Sequence, residues 1–153
     1  RLSWSEDLRW ADFDPALRLD TGSHPIRHAI SGSRVVAHSY DSTGILEGLA
    51  WNIPTLAFWQ NGFDHLRDSA KPWYQLLVDA GIVHFTPEAA ASKVDAVWDD
   101  VPGWWRSDEV QTARNRFCER YALTSNQPVR DFTRLVTMPA TAPAHQSVLA
   151  SHQ

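Results

Sequence analysis

Between Ser33 and Trp59 the chain gathers small hydroxyls, a glycine and isolated carboxylates within a few residues of each other. Ser42, Thr43 and Gly44 supply two hydroxyls and a backbone that a phosphate can approach closely. A helix starting here would add free N–H groups and the positive end of its dipole, both of which favour an anion. Helix capping alone also accounts for Ser and Thr at such a position. Glu47 falls about one turn further on, on the face of Thr43 and Gly44, where it could accept hydrogen bonds from sugar hydroxyls or stand as an ordinary solvated carboxylate. Upstream, His38, Ser39 and Asp41 crown the strand and could face a bound substrate, with Asp41 and His38 as candidates for catalysis. Asp41 is the only carboxylate of the turn, with the geometry of a general base on one view and of an Asx turn bonding its own backbone on another. Asp64 and His65 form a second carboxylate–imidazole pair, although adjacent side chains usually point apart.

Hydrophobic patterning places these residues on defined elements. Val35–His38 reads as a strand, Gly44–Trp51 as a helix with Ile45, Leu46, Leu49 and Ala50 inward, and Thr55–Trp59 as a second strand opened by Pro54. Strand, loop, helix and strand in that order describe one right-handed parallel crossover. The turn from His38 to Thr43 then lies at the carboxyl end of a strand, where open α/β sheets bind ligands. Gln60–His65 overhangs the same edge. Further on, Ser69–Ala80 carries an apolar stripe of Trp73, Leu76, Leu77 and Ala80, with Gly81 ending the helix. Ile82–Phe85 is a short strand. Thr86 caps a helix over Pro87–Trp98, and two more helices span Asp108–Ala122 and Pro128–Val136. Pro25–Ile30 suits a short helix, Ala16–Leu19 a short strand, and Arg1–Asp14 a loop or the remnant of an element. From Met138 the Ala, Pro, Ser, Thr, His and Gln composition predicts disorder, leaving residues 1–137 as the domain. The fold class is α/β, a Rossmann-like, mostly parallel sheet flanked by helices.

Composition narrows the possible functions. With 153 residues there is material for one domain. Fourteen Lys and Arg against eighteen Asp and Glu give a net charge of −4, so there is no basic field to hold a nucleic acid. No apolar run approaches the roughly 20 residues that span a bilayer, and nothing resembles a signal peptide. Cys118, the single cysteine, excludes an intrachain disulfide and a cysteine zinc site, and reads as a part-buried helix residue. No Asp-x-Asp pair or helically spaced His pair suggests a metal. A reducing cytoplasm suits this composition. The eight tryptophans are mostly expected to pack in the core or between domains.

The run Ser42-Thr43…Leu46-Glu47-Gly48-Leu49-Ala50…Ile53-Pro54-Thr55 resembles the nucleotide-sugar half of GT-B glycosyltransferases. The similarity continues through Phe58-Trp59, Ser69–Tyr74, Ala80–Ile82, Pro87–Ala90, Trp98, Gly103–Trp105 and Phe117–Ala122. Over about Trp4–Val136 the chain resembles a bacterial family of transferases associated with surface polysaccharide biosynthesis. The resemblance implies a donor-binding, carboxy-terminal GT-B-like domain with no cofactor, a nucleotide-sugar donor as substrate and a glycan or lipid-linked acceptor. It implies Ser42, Thr43, Gly44 and Glu47 as donor-binding residues. It further implies an amino-terminal domain outside this sequence, which starts at Arg1 without an initiator methionine, and peripheral membrane association of the full enzyme. The fragment alone is then expected to be inactive and to expose an apolar face near Arg1–Trp10 and Gly103–Trp105. Retaining GT-B enzymes often show two glutamates eight residues apart here; the earlier position is Ser39 in this chain, so that motif is absent. His24-Pro25 resembles a pair used by some transferases with cytidine donors, but lies too near the first strand and reads better as helix punctuation. Two other classes fit the same residues: a non-catalytic nucleotide-binding module, and a protein-interaction domain docking through Trp4, Trp10, Trp104 and Trp105.

Overall fold

Val36–His38 (β1), Thr55–Phe58 (β2) and Val83–His84 (β3) form an all-parallel sheet in that order in the computed structural model, which describes residues 6–20, 22, 25–125 and 127–137. Val36, Ala37 and His38 pair with Thr55, Leu56 and Ala57, and Ala57 and Phe58 with Val83 and His84. Central β2 buries Thr55, Leu56 and Ala57 consecutively, as a parallel strand covered on both faces must. Helices α1 (Glu6–Phe13) and α2 (Ile26–Ser31) precede the sheet, and α3 (Thr43–Ala50) makes the crossover from β1 to β2. The later helices are α4 (Lys71–Asp79), α5 (Pro87–Val97), α6 (Val101–Arg106) after a 3₁₀ turn, α7 (Asp108–Tyr121) and α8 (Pro128–Thr137).

Local chemistry sets the starts of three helices. Thr86 Oγ1 accepts the Ala89 N–H at 3.1 Å, Asp100 Oδ1 the Gly103 N–H at 2.9 Å and Ser107 Oγ the Val110 N–H at 3.4 Å. Pro87 and Pro102 occupy first-turn positions, where a missing N–H costs nothing. Ile45 and Leu49 of α3, Leu77 of α4, Ile82, Val83, and Val110 and Phe117 of α7 are almost fully buried in one core cluster. Helix α7 packs on α3 and α4 and closes that core.

Several sequence expectations change. Ala16–Leu19 is not a strand: after α1 the chain turns, with Asp14 Oδ1 accepting the Ala16 N–H at 2.9 Å. Of the two readings of Arg1–Asp14, a loop or part of an element, residues 6–13 take the second and form a helix, with Trp10 edge-on to Phe13. Helix α6 has no counterpart in the periodicity, because Pro102 and Gly103 read as breakers while Asp100 makes them a capped first turn. Trp105 is 4% exposed and belongs to the core, which removes it from any docking surface; Trp10 is exposed. The chain divides into two compact units, the second beginning at Leu123, just before α8. Val129, Phe132 and Val136 of α8 are exposed. Trp4, Ser23, His24 and the tail from Met138 lie outside the described residues.

Gly48 lets α3 reach the sheet. A Cβ there would run into the Thr55 side chain, itself fully buried and bonded through Oγ1 to the Ile53 carbonyl at 2.8 Å. Gly48→Ala is expected to cost about 1–3 kcal/mol by overpacking, measured by urea unfolding. Gly32→Ala, whose Cβ would meet nothing nearer than 3.7 Å, should change stability by less than about 0.5 kcal/mol.

Candidate functional site

Helix α3 begins at the carboxyl end of β1, so the turn from Ser39 to Ser42 stands at the sheet edge where β2 and β3 also end. Ser42 is extended (φ −128°, ψ 161°), the backbone shape of an N-cap. Yet its hydroxyl makes no capping bond, unlike those of Thr86 and Ser107. Capping therefore does not use this hydroxyl in the structure. Thr43 and Glu47 are exposed, Ser42 and Gly44 half-buried. Gly44 rests on the imidazole of His38: a Cβ would lie 2.7 Å from His38 Cε1. His38 Nε2 is buried with no partner among the described residues, and burial lowers the pKa of the ring. His38 is thus a neutral floor beneath the first turn of α3.

Asp41 does not fold back on its own loop. Its carboxylate accepts the Tyr74 O–H at 3.2 Å to each oxygen, and His65 Nε2 lies 3.0 Å from Oδ2. A carboxylate acceptor puts the proton of that bond on Nε2 and leaves Nδ1 as the other ring nitrogen. The turn after β1 is thereby tied to the loop after β2 and to α4. Asp64, beside His65, is exposed and takes no part. Tyr74 is 9% exposed and stacks edge-on against Phe117, ring centroids 5.1 Å apart. Burial, and after it the negative charge of Asp41, raises the pKa of its phenol far above the usual value.

The loop carrying His65 is itself held. Trp59 Nε1 donates to the Gly62 carbonyl at 2.8 Å, and Asn61 and Gly62 both take left-handed backbone angles (φ 69° and 56°), which reverse the chain. The rings of Phe63 and Phe85 meet edge-on at 5.1 Å. His65 stands edge-on to Trp59 at 5.7 Å. Between this loop, Leu46 of α3 and the end of α7 lies a cavity of about 420 Å³, lined also by Arg67, Tyr74, Arg120 and Tyr121. Two other cavities lie elsewhere: one between α4 and the start of α7, the other beside Asn52 and Pro54, which precede β2. Tyr74, Arg67 and Arg120 were not singled out by sequence. Tyr74 shares a helix face with Leu77, three residues on, and that pairing was the available signal. For Arg120 there was none, since its relevance depends on where the last turn of α7 ends.

Among the described residues no group of three or more His, Cys, Asp and Glu is arranged to hold a metal, and no helix is long and apolar enough to cross a membrane. Cys118 is half-buried, and burial raises the pKa of its thiol.

A small parallel sheet with a glycine-bearing helix start at its carboxyl edge defines an α/β domain of the kind that places ligands at strand ends. Residues 1–136 match the family model described as LIC12162 family transferase, and the chain belongs to that family of transferases. No curated protein and no solved structure matches the chain.

The Tyr74–Asp41 contact has an alkaline signature. A phenol whose folded pKa is raised stabilises the fold below the unfolded value of 10.0, and that contribution falls as pH climbs above it towards the folded value. Stability should therefore drop from about pH 10 upward. Tyr74→Phe should flatten this component, and Asp41→Asn should reduce it. Urea unfolding at pH 8 to 11 measures all three.

Proposed function

We propose that this transferase moves a sugar from a nucleotide-activated donor, and that this chain binds the donor. The observation that carries the proposal is the start of α3: it lies at a parallel strand end, follows an extended Ser42 whose hydroxyl caps nothing, and has glycine as its second residue. In this proposal the donor diphosphate lies over Ser42, Thr43 and Gly44. The first N–H groups and the dipole of α3 stabilise the negative charge that builds on the diphosphate as its bond to the sugar breaks. Glu47, exposed one turn along the helix, reaches the ribose hydroxyls. Asp41 would repel a phosphate if its charge stood alone; the Tyr74 and His65 donors offset that charge. The carboxylate so engaged makes a better positioning group than the general base suggested by its place in the turn.

The wider setting of the proposal is what the resemblance implies: a glycan or lipid-linked acceptor, a second domain supplying acceptor contacts, a part in surface polysaccharide biosynthesis, and work at the cytoplasmic side with peripheral attachment to the membrane. Burial of Trp105 removes one of the four tryptophans, with Trp4, Trp10 and Trp104, on which the rival reading of an aromatic docking module rests.

Isothermal titration with UDP, CMP, GDP and dTDP tests the donor site. Glu47→Ala should weaken the best nucleotide about tenfold, or ~1.4 kcal/mol. Ser42→Ala should have a smaller effect, because the backbone donors remain. Gly44→Ala should weaken binding too, with unfolding followed in parallel because its Cβ presses on His38. Unchanged affinity in Glu47→Ala and Gly44→Ala would leave α3 an ordinary helix.

A further inference from the structure

The cavity beside α3 has a charge pattern at odds with the acidic chain around it. Arg67, from the loop after β2, and Arg120, from the last turn of α7, both line the space, and His65 joins them. Neither guanidinium has a carboxylate partner among the described residues. Among the described residues no carboxylate lines the cavity. Asp41, which touches two lining side chains, already accepts from Tyr74 and His65, and Asp68, next to Arg67, pairs with Lys71 at 2.7 Å. An arginine in the last turn of a helix also complements the helix dipole. That accounts for Arg120 but not for a second arginine from a separate loop converging on the same space.

We infer that this cavity is a binding site for a phosphoryl group of a substrate, held by Arg67 and Arg120. Planar guanidinium groups bind phosphate oxygens through paired N–H donors, which gives both strength and direction. Both arginines are exposed at the rim of the cavity, and the elements that carry them are held in place. His65 is set by Asp41 and by the Trp59 edge, and the loop before Arg67 is held by the Trp59–Gly62 bond and the Phe63–Phe85 contact. Leu46 and Tyr121 supply apolar walls, which suit a ligand with a carbon framework attached to the phosphate. The phosphoryl group has two possible sources, the donor diphosphate reaching down from α3 or a phosphate carried by a second substrate. The inference deepens the donor-site proposal but rests on different residues.

Titration of the chain with inorganic pyrophosphate, followed by tryptophan fluorescence and calorimetry at low salt, tests the site. Arg67→Ala and Arg120→Ala should each weaken binding about tenfold, and raising salt to about 0.5 M should weaken it further. Arg116→Ala, on the same helix but lining a different cavity, is the control and should change affinity less than twofold. If pyrophosphate competes with a nucleoside diphosphate and both arginine variants weaken both ligands, the donor supplies the phosphoryl group. If the two bind together, a second substrate does. Absence of pyrophosphate binding at millimolar concentration overturns the inference, as does equal binding by the parent, Arg67→Ala and Arg120→Ala proteins. Weakening by Gly44→Ala and Glu47→Ala without any effect of the arginine variants would leave the donor site standing and remove this one; the reverse pattern would do the opposite.

Discussion

The close seating of α3 on the sheet is the constraint from which the rest of the site follows. Two glycines, one turn apart, make it possible: Gly44 over the His38 ring and Gly48 over Thr55. Without a Cβ at either place the helix axis comes near enough for Ile45 and Leu49 to reach the core, where both are about fully buried. The far end is fastened separately. Asn52, in a left-handed conformation just past the helix, accepts from Trp105 Nε1 through its backbone carbonyl at 3.1 Å and its side chain at 2.9 Å. Arg114 of α7 donates to the Leu49 carbonyl at 3.0 Å, placing a cation at the negative end of the helix dipole. Position and tilt of α3 are thus set at both ends, and its exposed first turn inherits that placement.

The three loops at the carboxyl edge depend on one another through aromatic packing. Trp59, just past β2, lies in the core, fixes Gly62 and abuts His65, Tyr74 and Phe85. Phe117 and Tyr121 extend the cluster onto α7 at centroid distances of 5.1 Å. Each such contact adds about 0.5–1.5 kcal/mol beyond simple burial. Collectively they explain why the twelve residues between β2 and α4, most of them polar or small, hold a defined course.

Elements with strong local signals were legible in the sequence: Val35–His38, Thr55–Trp59 and the helix between them need only periodicity and the Pro54 boundary. Thr86-Pro87 and Ser107-Asp108 announce helix starts through capping chemistry that the structure contains. What failed were segments whose character depends on distant partners. Trp105 looks like a surface aromatic beside Gly103 and Trp104 until Asn52, 53 residues away, supplies its N–H with acceptors. Asp41 reads as an Asx-turn residue because its true partners, Tyr74 and His65, lie 33 and 24 residues downstream. Arg120 is one charge among many on a helix until the fold brings it beside Arg67.

The hydrogen bond from Tyr74 to Asp41 ends on a loop, but begins on a ring wedged into the core against Phe117. Through that bond the turn at the carboxyl edge of the sheet shares the rigidity of the protein interior, where neighbouring atoms leave no room for alternative rotamers. A loop so anchored stands ready before any ligand arrives. In the proposed donor site, association would then sacrifice little chain disorder on the protein's side, and the affinity would report the contacts made rather than the work of assembling them.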